Sequence, residues 1–285
     1  DVYKRQYIHY LTHHIPLLFL LTLKKKPIVI NVHGSDVVGL VENKAINRIA
    51  KWLLRKIDAL VVPTSHFEEL ILKQYPFLRP EQIIVSPSGG IDKSVFHVTK
   101  APKPETFKIG LISRLNEKKG WRTFIDALIL LKDTTSFKAI IAGKGPDEQN
   151  ILNYINDNGL NEHIEFLGLI KQNELIDVYN SLDVYIFPTE QDSLGLTGLE
   201  AMACGVPVIA SNIKEGPGTY VEHGVNGYLF DLKDSVSLFE YVKTYALLSE
   251  NDKKVMQQAA INTAKKYERS MVASQLKKEL ARLIQ

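Results

Sequence analysis

Cysteine is almost missing from this chain: Cys204 is the only one in 285 residues. No disulfide can therefore form within it, and the composition suits a reducing compartment. Its setting, Ala201-Met202-Ala203-Cys204-Gly205, reads as a small buried helix residue and not as a nucleophile. Long apolar runs are also scarce. The best, Ile15 to Leu23, is interrupted by Pro16 and stops at Lys24-Lys25-Lys26, short of the roughly 20 residues a helical span needs. No apolar segment with a small-residue cleavage site follows the polar start, so a secretory signal is not expected. These absences lead us to expect a cytoplasmic protein, soluble or peripheral on the inner face of a membrane. An excess of one charge is lacking too, with 35 Lys+Arg against 32 Asp+Glu. That balance is too mild for a nucleic-acid partner. There is no internal repeat, no low-complexity segment and no Gly-x-Gly-x-x-Gly after a strand, which argues against a nicotinamide oxidoreductase.

What is present is ordinary globular material, 45% hydrophobic and 24% charged, enough for two cores. Short apolar runs alternate with amphipathic stretches, the pattern of parallel sheets covered by helices. Pro27–Val32, Ala59–Val62 and Ile83–Val85 read as strands, and Tyr7–Leu11 is strand-like. Lys44–Ile57 reads as a helix burying Ile46, Ile49, Ala50, Leu53 and Ile57, with Lys44, Arg48, Lys51 and Arg55 on the other face. A second helix runs from Ser65 to Lys73. The polar, proline-rich Ala101–Glu105 reads as a linker. Beyond it, strands are expected at Lys108–Ile112, Lys138–Ala142, Ile164–Leu167, Val184–Phe187 and Val206–Ala210. Helices are expected at Trp121–Leu131, Pro146–Asp157 and Leu196–Gly205, and a helical tail covers Val236–Ile284 with breaks near Ser249 and Tyr267.

The fold class this predicts is α/β, two doubly wound lobes facing a cleft. The first is partial and spans 7–100, the linker 101–106, the second lobe 107–266, and a C-terminal helix in 267–285 packs on the first lobe. Asp1–Gln6 reads as a translated sequencing adapter. With about three strands ahead of the linker where a doubly wound lobe has five or six, roughly 80 residues of the first lobe are expected to be missing.

Two loops carry the chemistry. Ser113-Arg114-Leu115-Asn116-Glu117-Lys118-Lys119-Gly120 follows the strand after the linker and places Arg114 and Lys119 where such sheets bind ligands. Arginine grips phosphate with two donors and lysine acts as a point charge; alone, the loop would pass for a solvated basic turn. Pro188 through Pro207 is a strand end, a loop with Gly195, and a helix from Leu196 that Gly205 stops. The free amides of that helix start, around Gly195, Leu196 and Thr197, suit a phosphate. Glu200, one turn in and flanked by Leu199 and Ala201, reads as a buried, partnered acid.

Arg114…Lys119-Gly120, Gly143-Lys144-Gly145-Pro146, Phe166-Leu167-Gly168 and Asp192-x7-Glu200-Ala-Met-Ala-Cys-Gly-Val-Pro resemble, in order and spacing, the family 4 retaining glycosyltransferases of GT-B fold, glycosyl transferases group 1. The likeness runs from about Tyr7 to the C-terminus; its last block is specific, and Gly-x-Gly-Pro alone is weak. The resemblance implies two Rossmann-like lobes and transfer from a nucleotide-diphosphate sugar with retention at the anomeric carbon. The acceptor would be a glycan or lipid-linked precursor, as in bacterial surface polysaccharide (lipopolysaccharide) synthesis. It also implies that Arg114 and Lys119 hold the diphosphate and Glu200 the ribose. Asp192 would contact the donor sugar, and the amides from Gly195 to Thr197 would assist. His33-Gly34-Ser35-Asp36 resembles the family's His-Gly motif, whose histidine reaches the donor sugar.

The sequence departs from the family's pattern in places. Asp192 stands where glutamate is usual, Ser113 where glycine is common and Ser88 where asparagine is. His9 and His13 could share a helix face as metal ligands, but Pro16 and the strand-like Tyr7–Leu11 argue against it. No Asp-x-Asp pair offers a metal site on the diphosphate, so no cofactor is expected and the cations would meet the leaving group. Rival readings are a sugar-nucleotide epimerase on the same fold and a non-catalytic nucleotide-binding remnant. The basic stripe Lys44, Arg48, Lys51 and Arg55 suits an anionic membrane surface.

Overall fold

In the computed structural model, described over residues 6–11, 27–34, 44–87, 89–99 and 106–282, the strand–helix alternation forms two parallel sheets. Residues 1–90 with 269–285 make one compact unit and residues 91–268 the other. Asp1–Arg5, His13, Ile15–Leu23 with Pro16, Lys24–Lys26, Ser35, Asp36, Ser88 and the linker residues 101–105 lie outside the described residues.

The first sheet holds β1 (Gln6–His9), β2 (Ile28–Asn31), β3 (Ala59–Val62) and β4 (Ile83–Val85) in that order. That is four described strands where the sequence suggested about three, and Gln6 pairs with Ile28 instead of standing outside the fold. Alternation decides the two faces. Ile28, Ile30, Leu60, Val62 and Ile83 join one core with helices α1 (Lys44–Leu54) and α2 (Ser65–Gln74). Val29, Ala59, Val61 and Ile84 face the other way, onto Leu280 and Leu276. Helix α1 ends at Leu54, three residues before the expected Ile57, and Ile49 is 45% exposed. Among the described side chains of this helix Ala50, Leu53 and Leu54 are buried and Ile49 sits on the flank of that face, while the side chain of Ile46 lies outside the described residues.

In the second unit β5 (Phe107–Ile112), β6 (Phe137–Ala142), β7 (Ile164–Gly168), β8 (Val184–Phe187), β9 (Val208–Ser211) and β10 (Gly227–Phe230) form one sheet in the order β10-β9-β8-β5-β6-β7, all parallel. Five helices are interleaved or follow: α3 (Trp121–Leu131), α4 (Glu148–Asp157), α5 (Leu175–Ser181), α6 (Leu196–Ala203) and α7 (Ser235–Leu247). Helix α8 (Glu250–Lys265) closes this unit, and α9 (Arg269–Arg282), which carries Leu276 and Leu280, belongs to the first. Ile91–Thr99, assigned by sequence to the first lobe, pack in the second unit. Ile91 and Phe96 join a core with Tyr179 and Tyr185, and Thr99 N–H donates to Asn180 Oδ1 at 2.8 Å.

Element ends differ from expectation at a few positions. Helix α4 starts at Glu148 and not Pro146, and Asp147 N–H donates to Leu115 O at 3.2 Å. Strand β9 starts at Val208 and not Val206, whose N–H closes α6 by donating to Ala201 O at 3.0 Å. Gly205, at φ 77°, ends that helix as its position suggested. Strand β10 escaped sequence reading because Gly224–Gly227 looks like a turn. A Cβ on Gly227 would lie 1.9 Å from Val208 O, so glycine there marks backbone packed against backbone.

Asn226, 1% exposed, holds this corner together. Its Nδ2 donates to Tyr220 O at 2.9 Å and to Thr263 Oγ1 at 2.9 Å, and its Oδ1 accepts from Glu222 N–H at 2.8 Å. Asn226→Ala leaves buried partners unsatisfied and should lower the unfolding free energy by about 1–3 kcal/mol, read from the midpoint of urea denaturation.

Candidate active site

Numbered within the second unit, the strand order is 3-2-1-4-5-6, and the winding reverses between β5 and β8. Ligands of such sheets sit at the carboxyl ends beside that reversal. Here the two strands also part early. β5 pairs with β6 along all of Phe107–Ile112, but with β8 only at Ile109↔Val184 and Gly110↔Tyr185. Beyond that point the buried Tyr185 hydroxyl donates to Ile112 O at 2.8 Å, satisfying a carbonyl the ladder has released. The loops that leave β5 and β8 at this opening are the two singled out by sequence.

Glycines let these loops close on one another. Gly120 ends the β5 loop at φ 72°, where a Cβ would lie 1.9 Å from Pro188 O at the end of β8. Glu190 N–H then donates to Lys118 O at 2.8 Å. Gly143 and Gly145, after β6, pack their backbones on the same β5 loop, with Cβ positions 1.8 Å from Ser113 O and 2.0 Å from Leu115 O. The Gly-x-Gly piece therefore has a packing role that spacing alone did not disclose.

Lys119 joins the two loops. Its Nζ donates to Asp192 Oδ2 at 2.7 Å, Gln191 O at 3.2 Å and Thr189 Oγ1 at 3.5 Å. An ammonium has three N–H donors, and all are engaged. Asp192 in turn accepts from Ser193 N–H at 2.9 Å. Arg114 is exposed at the end of β5. Next along, Gly195 adopts φ 79° and ψ 59° and opens α6, leaving the Leu196 and Thr197 amides without partners one turn back. The structure thus gathers Lys119, Asp192, Gly195, Leu196 and Thr197 around the parted ends of β5 and β8.

Glu200 lies one turn into α6, and the Tyr179 hydroxyl donates to its Oε2 at 3.2 Å. Burial pushes the Glu200 carboxyl above the usual carboxylate range, partly offset by that bond. Tyr179 itself is wholly buried, which drives its hydroxyl well above the usual phenol value and keeps it a donor. Cys204 is buried likewise and its thiol is pushed up to about 12, as expected of an inert structural cysteine. Sequence reasoning missed Tyr179, Tyr185 and Thr189, since nothing in their local sequence marks them as site residues.

His33 belongs to the first unit, at the end of β2. Its Nε2 is 2.9 Å from His9 Nδ1, so one ring must donate to the other, and Tyr10 packs on it at 4.3 Å between ring centres. His9 lies on a strand, where its ring meets His33 and the edge of Tyr7 at 5.2 Å between ring centres.

The profile of the family described as Glycosyl transferases group 1 matches residues 92–266. Among curated relatives, the N-acetyl-alpha-D-glucosaminyl L-malate synthase of Bacillus anthracis is 26% identical over 81% of this chain and 62% of its own length. The lipopolysaccharide core biosynthesis mannosyltransferase LpsB of Rhizobium meliloti is 32% identical over 58% of this chain and 48% of its own. The chain thus spans about half to three-fifths of the length of these relatives. Among solved structures, Anabaena Alr3699/HepE in complex with UDP superposes with a TM-score of 0.83 at 21% identity, covering 97% of this chain and 79% of that one.

Because burial raises the folded-state pKa of Glu200, the folded protein holds this proton more tightly than the unfolded chain. Stability from this group is fully present below the unfolded carboxylate pKa and is lost as pH rises through the raised value. Glu200→Gln should therefore become progressively more stable than the parent as pH rises above the ordinary carboxylate range, measured as the difference in melting temperature.

Proposed function

The chain belongs to the glycosyl transferases group 1 family, and from that premise we propose that it transfers a sugar from a nucleotide-diphosphate sugar to a glycan or lipid-linked acceptor. Its α/β fold with parallel sheets is that of the GT-B glycosyltransferases. The observation that carries the proposal is the gathering of Lys119, Asp192 and the free Leu196 and Thr197 amides where β5 and β8 part. A departing nucleoside diphosphate gains negative charge, and fixed donors stabilise it without reorganising. In our reading Arg114, Lys119 and the start of α6 supply those donors without a metal, and Glu200 accepts from the ribose. Asp192 and His33 serve the donor sugar. We assign retention at the anomeric carbon, and a place in bacterial surface polysaccharide synthesis, on the family resemblance. The lipopolysaccharide mannosyltransferase relative supports the polysaccharide setting, and the UDP-bound structural neighbour supports a nucleotide-linked donor.

Since Lys119 already donates to Asp192 and Gln191 O, an arriving diphosphate competes with these partners. Asp192, the charged one, is the partner whose release also frees a carboxylate toward the sugar. Arg114→Ala should weaken binding of UDP, GDP or ADP by about 1.5–3 kcal/mol and leave the matching nucleoside unaffected. Asp192→Asn should bind the diphosphate more tightly while sugar transfer falls, and EDTA should change neither. Calorimetry with the three diphosphates, beside a transfer assay on the nucleotide-sugars, reads these separately. Equal weakening of nucleoside and diphosphate by Arg114→Ala would refute the phosphate role. Epimerised donor as the sole product, or binding with no turnover in the intact protein, would favour the two rival readings.

We further propose that α1 rests on an anionic membrane surface. Arg48, Lys51 and Arg55 are exposed beside Ile49 and Trp52, which are 45% and 39% exposed. Cationic residues flanking exposed apolar ones suit the interfacial region of a bilayer. The side chain of Lys44, the fourth member of the stripe, lies outside the described residues. Reversing the charges of Arg48, Lys51 and Arg55 should abolish sedimentation with vesicles containing phosphatidylglycerol and leave that with neutral vesicles unchanged. Undiminished binding to the anionic vesicles would exclude this face.

A further inference from the structure

Tyr220 is 4% exposed and held from behind: its carbonyl accepts from Asn226 Nδ2 at 2.9 Å, and Asn226 is tied to Thr263 at 2.9 Å. From that base its hydroxyl donates to Gly195 O at 2.8 Å. Gly195 is the left-handed residue that opens α6. In a trans peptide the carbonyl of one residue and the N–H of the next lie in one plane and point in opposite directions. Whatever orients Gly195 C=O therefore orients Leu196 N–H, the first free donor of the helix. Gly195 O also accepts from Gly198 N–H at 3.1 Å within the helix, and since glycine has little conformational preference of its own, the shorter Tyr220 bond is the second hold on this peptide. The same hydroxyl lies against Gly198, where an added Cβ would meet Tyr220 Oη at 2.3 Å. Burial holds the phenol well above its usual range, so it remains a proton donor throughout the working pH.

We propose that Tyr220 is a positioning residue for the anion-binding end of α6, its hydroxyl setting the Gly195–Leu196 peptide so that the Leu196 amide faces a diphosphate. This rests on the nucleotide-sugar reading above. A hydroxyl that merely filled its buried site would affect stability and treat charged and uncharged ligands alike. One that sets the amide affects the diphosphate selectively.

The test is Tyr220→Phe, which keeps the ring and removes the donor, titrated with UDP, GDP and ADP and with the corresponding nucleosides. The dissociation constant of whichever diphosphate the parent binds should rise about tenfold, with the nucleoside's unchanged. Gly198→Ala approaches the same bond with Tyr220 intact: its methyl must displace the hydroxyl, so the same selective loss is expected. The two losses should not add in the double variant, because both act through one hydrogen bond. Unchanged diphosphate binding by Tyr220→Phe, equal weakening of both ligands, or additive losses would overturn the inference while leaving the nucleotide-sugar reading standing. Should the parent bind none of the diphosphates, that reading fails and this inference fails with it.

Discussion

The ladder between β5 and β8 registers only two residue pairs, Ile109 with Val184 and Gly110 with Tyr185, and the candidate site follows from that brevity. Parallel strands in a fully laddered sheet have their backbone groups committed to one another. Where the ladder stops, the carboxyl ends separate, and the carbonyl of Ile112 is taken by the Tyr185 side chain. The two loops leave the sheet from these separated ends. Because the chain leaves β5 and β8 on opposite sides of the reversal, those loops approach from different directions and can surround a ligand between them.

Backbone approach then brings the loops into register. Gly120 against Pro188 and Gly145 against Leu115 leave no room for a side chain, so these contacts are set by main-chain geometry and have little freedom to relax. On this frame the donor groups divide by depth. Phenols sit inside, at Tyr179, Tyr185 and Tyr220, each raised by burial and each donating to an acid or a carbonyl of the site. Cations sit at the rim, with Lys119 partly exposed and Arg114 exposed. Desolvating a neutral phenol costs far less than desolvating an ammonium, and cations at the rim remain within reach of a ligand from solvent. The pairing of Lys119 with Asp192 keeps both charges compensated while no anion is present.

Much of this was legible in the linear sequence. Apolar runs separated by amphipathic segments located strands such as Val184–Phe187 and helices such as Trp121–Leu131 to the residue, because burial on both faces of a parallel sheet leaves a local pattern. The two loops bearing Arg114, Lys119, Asp192 and Glu200 were identifiable from charge, glycine and spacing, features that need no partner to be seen. The resemblance to a family rested on those same loops, and the profile match at residues 92–266 covers them.

Relations between distant residues were not legible. That Lys119 spends its donors on residues 70 and more positions away, that Tyr179 reaches Glu200, and that Gly227 lies against Val208 are consequences of strand order. The exposure of Ile49 depended on how far the buried face of α1 extends around the helix, which periodicity approximates and packing decides. By itself the sequence determined the class of fold and the residue types that line the site, since hydrophobic period, charge and glycine are local properties. Which of those residues meet, and which donors remain for a ligand, was decided only by the tertiary structure, because hydrogen bonds and close contacts form between segments that the chain separates and the sheet brings together.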